Sequence, residues 1–293
     1  MIKFAILSVV FLALSLSAKA GNCEIPFSWT DCSVSEPVRD SEPGWVSEEE
    51  FPLETALKSE KLPSLRQRLP GISIKGFKTD IYLQSKKYAG VFYIGLDTVE
   101  KVVALTFDDG PDRVCTPEIL KILKKYDVRA TFFLIGENMV GNGEIVKQIA
   151  GEGHSIGCHT FNHLDLRKVS PELALKNIRK WQDLALNILG SRPDFIRPPF
   201  GAITDREIDF LGRKGYRIIG WSVDTFDWDS QRNSIANIKS RVDRYMHKGA
   251  IILMHSSDRR TLNTVQALPS IIEGLKTLGY KFYTIPQMFN FKT

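Results

Sequence analysis

Excess charge, cysteine and long apolar runs are all scarce in this sequence, and each scarcity excludes something. Lysine and arginine number 39 against 34 aspartates and glutamates in 293 residues, a net charge of +5. So weak a balance creates little attraction for a polyanion such as nucleic acid, and no nucleic-acid partner is expected. Beyond the first twenty residues no segment approaches the roughly 20 consecutive apolar residues of a membrane span, so none is expected. Four cysteines allow only three pairings. A chain that is 43% hydrophobic and 25% charged is neither disordered nor collagen-like, and it carries enough apolar side chain for one sizeable core.

What is present begins with an export signal. Lys3 is followed by the apolar stretch FAILSVVFLALSL, and Ala18 and Ala20 form an A-x-A cleavage pattern, so residues 1–20 are expected to be removed after Ala20. Cleavage takes away Lys3 and Lys19, leaving 37 positive charges against 34 negative, or +3. The mature protein is therefore expected to be exported, periplasmic or secreted. Disulfides persist in such compartments, and the local pairs Cys23–Cys32 and Cys115–Cys158 are expected, with buried thiols the alternative for the second pair.

Residues 21–98 read as an extended N-terminal arm. Up to about residue 70 they carry six of the fourteen prolines and the acidic cluster SEPGWVSEEEF, with one helix expected near 53–62. The stretch DIYLQSKKYAGVFYIGL, within 72–98, has the aromatic and β-branched content of short strands. From Lys101 onward the pattern changes. VVALTF, ATFFLIG, HSIGCHT, DFIRPP, YRIIGWSVD, AIILMHS and KFYTI are strand-like runs separated by segments long enough for helices. Thr116-Pro117-Glu118 and Ser170-Pro171-Glu172 each put a capping hydroxyl before a proline at the first helical position, and Thr204 with Glu207 forms a capping box. Seven strands alternating with helices make an α/β domain over residues 99–293, a parallel sheet that closes into a (β/α)7-type barrel.

In such a barrel the reactive groups gather at the C-terminal ends of the strands. Polar residues fall at those ends here: Asp108 and Asp109, His159 and His163, Arg197, Asp224 and Asp227, and His255. The spacing of four in HTFNH puts both imidazoles on one face of a helical turn or tight helical loop. With one aspartate they form a two-histidine, one-carboxylate set that leaves a position open for water. Such a set suits Zn²⁺ and also Fe, Co or Mn. A dication would relieve the repulsion between Asp108 and Asp109, one binding it while the other stays free as a base. Each feature alone has a plainer explanation, a turn for the aspartates or a core site for His255, but their convergence on one rim does not. His154 and His247 show no such convergence and read as structural.

TFDDGP, HTFNH, RPPFG, DTFDW and LMHS, in that order, closely resemble the five motifs of the NodB-type polysaccharide deacetylases, carbohydrate esterase family 4. The resemblance covers about residues 99–290. It implies a distorted barrel and a metal-dependent hydrolase that removes acetyl groups from sugar polymers. Carried over by position, it implies that Asp109, His159 and His163 bind the metal, Zn²⁺ before Co²⁺, Fe²⁺ or Mn²⁺. It likewise implies that Asp108 is the general base oriented by Arg197, and that His255 is the general acid. Asp227 is the favoured partner of that histidine, with Asp224 the alternative. The Phe200 backbone amide would bind the oxyanion, and Pro199, Trp228 and Leu253 would line the substrate pocket. Where the family often has tyrosine this chain has Phe200, a change of small consequence because the main chain does that work. The expected partner is an acetylated glycan, peptidoglycan first, since a modest positive charge suits an anionic wall polymer. Chitin or poly-N-acetylglucosamine and acetylated xylan remain alternatives, as does a glycan-binding module without turnover. Oligomeric state is not legible.

Overall fold

The run Val102–Asp108, seven residues all buried, forms strand β2, whose edges are occupied by three other strands. Its side chains alternate, as a strand requires. Val103, Leu105 and Phe107 enter the core between sheet and helices, whereas Val102 and Ala104 join a second apolar cluster inside the barrel. The computed structural model describes residues 81–257 and 261–291. The signal segment, Cys23, Cys32 and the helix expected near 53–62 lie outside them.

All seven expected runs contain strands, but the described residues hold nine. β1 (Phe92–Tyr93) precedes β2, and then come β3 (Thr131–Leu134), β4 (Ser155–Cys158), β5 (Phe195–Ile196), β6 (Arg217–Ile219), β7 (Val223–Asp224), β8 (Ala250–His255) and β9 (Lys281–Phe282). Neighbouring strands run parallel in the order β1-β6-β5-β4-β3-β2-β8-β7, with β9 beside the start of β2. Helices α1 (Ile81–Lys87), α2 (Cys115–Lys125), α3 (Gly136–Met139), α4 (Gly143–Gly151), α5 (Pro171–Leu189), α6 (Asp205–Arg213), α7 (Ile235–Tyr245), α8 (Leu262–Thr277) and α9 (Ile285–Phe289) accompany them. This is a distorted (β/α) barrel.

The distortion has a location. YRIIGWSVD, expected to be one strand, breaks at residues 220–222: β6 bonds to β5, and β7 bonds to β8. One segment thus closes the circle by changing partners. Beside this seam Gly95 makes an antiparallel bridge to Ala250, and the Leu96 amide donates to the Gly249 carbonyl at 2.8 Å. Gly249 has φ +75, and a Cβ there would sit 1.9 Å from the Leu96 oxygen, so no other residue fits the seam.

Three expectations need correction. Residues 81–87 form a helix and not a strand, because Ile81 and Gln84, three apart on one face, bury themselves, and Gln84 donates to Asp205 at 3.0 Å. Helix α2 is capped by Asp112, whose side chain accepts from the amides of Cys115 (2.9 Å) and Thr116 (2.8 Å). The Thr116 hydroxyl instead donates to the Ser256 carbonyl at 3.0 Å. No disulfide joins Cys115 to Cys158; both are buried thiols. Cys115 heads the helix after β2, and Cys158 ends β4, two strands away. Two strand spacings are about 10 Å, whereas a disulfide needs Cα atoms within about 7 Å. The caps at Ser170 and Thr204–Glu207 form as expected.

Candidate active site

The inward face of each strand continues into the polar rim. Thr106 and Asp108 follow Ala104 on β2, and His255 follows Ile251 and Leu253 on β8. Asp108 and His255 are register partners across the two strands. Arg197 lies two residues after the inward Phe195. His159 lies two after Gly157, where a Cβ would come within 2.6 Å of both Phe133 and Phe195.

Asp109 turns out of β2 with φ 71. Its Oδ1 is 3.3 Å from Nε2 of His159 and 3.3 Å from Nε2 of His163, and one ligand atom from each of the three residues falls within 4.8 Å of the others. That oxygen is buried and accepts no hydrogen bond, a costly state for a carboxylate unless a cation lies against it. His159 is prepared for the same role. Its Nδ1 is 2.8 Å from the Arg197 carbonyl, which can only accept, so the proton sits on Nδ1 and Nε2 offers its lone pair. The donor set fits a divalent ion. The pair is not on a helix: Thr160 and His163 have φ 63 and φ 54, and the ligands converge through a left-handed loop.

Asp108 faces a different group. Its Oδ1 accepts from the Arg197 guanidinium at 2.7 Å. Arg197 is fully buried, and it also donates to the Thr106 hydroxyl (2.8 Å) and to the carbonyls of Gly220 (2.9 Å) and Ile219 (3.3 Å). Phe133 stacks beneath it, 4.1 Å from guanidinium carbon to ring centre. Burial pulls its pKa down, and Asp108 opposes that. A buried ion pair whose guanidinium nitrogens all donate fixes one geometry more than it adds stability.

On the other side of the rim Asp227, fully buried, accepts at Oδ1 from His255 Nδ1 (2.7 Å). Its Oδ2 accepts from the His255 amide (2.8 Å) and the Thr264 hydroxyl (2.7 Å). Burial alone would push this imidazole down, but Asp227 in contact, with Asp109 and Asp108 near, holds it up at about 10. The ring is then a cation at neutral pH, with its second proton on Nε2. Asp224 makes no such contact. Its Oδ1 accepts from the Phe226 amide (2.9 Å) and the Trp228 indole (3.4 Å), so it shapes the loop.

A family model for polysaccharide deacetylases matches residues 95–219. Over 205 residues the chain is 43% identical to a peptidoglycan-N-acetylglucosamine deacetylase of Bacillus cereus, covering 70% of this chain and 73% of that one. The chain belongs to the polysaccharide deacetylase family. Its likeness to other polysaccharide deacetylases extends to structure. The crystal structure of the peptidoglycan N-acetylglucosamine deacetylase Bc1960, in complex with an N-hydroxybenzamide, superposes with a TM-score of 0.68 at 40% identity, covering 72% of this chain and 97% of that one. The peptidoglycan-N-acetylmuramic acid deacetylase PdaC of Bacillus subtilis is 36% identical over 196 residues, which is 66% of this chain but only 40% of that protein.

In this family member all five motif stretches converge. Pro199 is buried, and Phe200, with φ 62, sets its half-exposed ring edge-on to His163 at 4.5 Å. Leu253 is buried on the inner face two residues before His255, and Trp228 is exposed on the loop after β7. His154 and His247 stand apart, His247 bonding to the Ser222 hydroxyl (2.9 Å) at the seam. Sequence reasoning missed Thr106, legible in hindsight as the inward residue two before Asp108. It also missed Thr264, 37 residues from Asp227 and without any local signal.

Proposed function

We propose that this chain is a divalent-metal-dependent hydrolase that removes N-acetyl groups from N-acetylglucosamine-containing glycans, peptidoglycan first, outside the cytoplasm after export. One observation carries the proposal: on a single rim a metal-type cradle adjoins a carboxylate held by a buried arginine and a histidine held by a buried carboxylate. Asp109, His159 and His163 hold the ion, Zn²⁺ before Co²⁺, Fe²⁺ or Mn²⁺. When bound, a dication supplies a Lewis acid that polarises a carbonyl and lowers the pKa of water towards about 7.

The chain's own groups move the protons. Asp108 takes one from the water that attacks the acetyl carbon, and Arg197 keeps Asp108 aimed. The Phe200 amide meets the negative oxygen that develops, a contribution of roughly 3 to 4 kcal/mol for such a donor. His255 gives its Nε2 proton to the nitrogen as the C–N bond breaks, because an amine anion is a very poor leaving group. Asp227 keeps that proton available at neutral pH. Pro199, Trp228 and Leu253 close around the acetyl methyl. Acetate and a free amine leave.

Acetate release from purified peptidoglycan, chitin oligomers and acetylxylan tests the proposal. Release from peptidoglycan is expected to stop in EDTA and return with Zn²⁺. Release from chitin or xylan alone would reassign the substrate, and release that survives EDTA would end the metal-dependent reading.

A further inference from the structure

His159 and His163 reach one ion only while the loop between them keeps its shape, and that shape needs outside support. Both Thr160 and His163 lie in the left-handed region, which side chains with a Cβ avoid. Part of the support is local, the Leu164 amide donating to the Thr160 hydroxyl at 2.8 Å. Part comes from α3, where the amides of Gly136 and Glu137 donate to the carbonyls of Thr160 (3.1 Å) and Phe161 (2.7 Å). Those bonds satisfy loop acceptors. The loop's own Phe161 amide is met by a single side chain from α5, Asn177, whose Oδ1 accepts it at 2.6 Å while Nδ2 donates to the Asn162 side chain at 2.7 Å. Phe161 and Asn162 are two of the three residues between the histidines.

The amide is suited to this place. An N–H can only donate, so Asn177 must turn its oxygen to Phe161, which leaves its nitrogen facing the Asn162 oxygen. A carboxylate keeps the first bond and keeps the second only if the Asn162 amide turns over to donate, and an alanine loses both. One turn further along α5, the Lys180 ammonium lies 3.7 Å from the centre of the Phe161 ring.

We infer that Asn177 is a positioning residue for the metal cradle, setting the spacing of His159 and His163 without touching the ion. This rests on the hydrolase reading. Zinc affinity, measured on the full chain by competition with a chromophoric chelator, separates the two ideas. Asn177→Ala is expected to weaken zinc binding about 10- to 100-fold, the usual scale for groups that orient ligands. Asn177→Asp is expected to weaken it less, and Lys176→Ala, exposed next door on the same helix, to leave it unchanged. The melting temperature without metal should move little. Wild-type affinity in Asn177→Ala, or the same loss in Lys176→Ala, overturns the inference while the hydrolase stands. Should Asn177→Ala fail to fold, Asn177→Leu, which keeps the bulk and loses both bonds, decides: weakened binding supports the role and wild-type affinity refutes it. A wild-type chain that takes up no zinc overturns the hydrolase reading itself, and the inference with it.

Discussion

Two histidines at opposite ends of the same barrel, one buried and one largely so, are treated in opposite ways. His255 ends β8 at the rim with its side chain 13% exposed, and His154 stands just before β4 at the floor with 8% exposed. Burial opposes a charged imidazole at both places. At the rim Asp227 reverses it and the ring is held up at about 10. At the floor no carboxylate among the described residues touches the ring; burial, opposed by the more distant Glu152 and aided by Arg129, holds it down at about 4. The His154 Nδ1 accepts from the Ala130 amide at 3.1 Å, and its ring meets Phe132 edge-on at 5.5 Å. A counter-ion in contact, more than depth, decides which buried groups carry charge. At the rim the imidazole is paired with a carboxylate, whereas at the floor it stays neutral.

The comparison breaks most visibly at Asp108. Asp108→Asn keeps the shape and an acceptor for Arg197 but removes the charge, and general-base contributions of about 10² to 10⁴ set the expected fall in acetate release. Zinc affinity should persist, because Asp109 and the histidines are untouched. The substitution also leaves Arg197 buried without its counter-ion, which costs about 3 to 5 kcal/mol of stability in comparable pairs, so rates belong well below the melting temperature. Retention of most of the rate would remove Asp108 as the base. His163→Ala, by contrast, is expected to lose zinc affinity and activity together.

A smaller effect is expected at Asp227. Asp227→Asn removes the largest charge that opposes burial, so the His255 pKa falls from about 10. If His255 is the acid proposed above, it must be protonated to act, so the alkaline limb of the activity profile should move down by more than one pH unit, with the residual rate favouring lower pH. An ion at Asp109 offsets part of that carboxylate's pull, so the limb of the loaded wild type lies below 10. An unmoved limb would mean that something other than Asp227 sets the charge on His255.

The rim was more legible than the ring that carries it. Asp108, His159, Arg197 and His255 each close a strand-like run, and in a parallel sheet that position alone puts them at one end. The break in Tyr216–Asp224 was not legible, because both halves are apolar and extended, and only the identity of the neighbour, β5 or β8, separates them. Ile81–Lys87 misled for a related reason: its aromatic and β-branched content favours a strand, while burial of Ile81 and Gln84 favours a helix. The choice of Asp227 over Asp224 leaned on resemblance and is now a matter of distance. Asp112 as a cap and Thr264 as a donor are tertiary facts with little local signature.

The smallest effect is expected at the floor, where it appears in stability and not in turnover. With Nδ1 accepting from Ala130, the neutral ring carries its proton on Nε2, and protonation would set a second N–H against the Ala130 amide. The folded pKa of about 4 lies below the ordinary 6.5, so between those values the unfolded chain binds more protons. Stability from this group is therefore complete above about pH 6.5 and is lost as pH falls through 4, by roughly 3 kcal/mol at most. His154→Asn offers an amide oxygen near the position of Nδ1 and cannot titrate. Urea melts from pH 7 to 4 should show a shallower loss of stability in His154→Asn than in the wild type, while zinc affinity and acetate release at pH 7 stay the same. Parallel stability curves would mean that the ring at the floor is already charged, and the contrast between the two ends of the barrel would fail there.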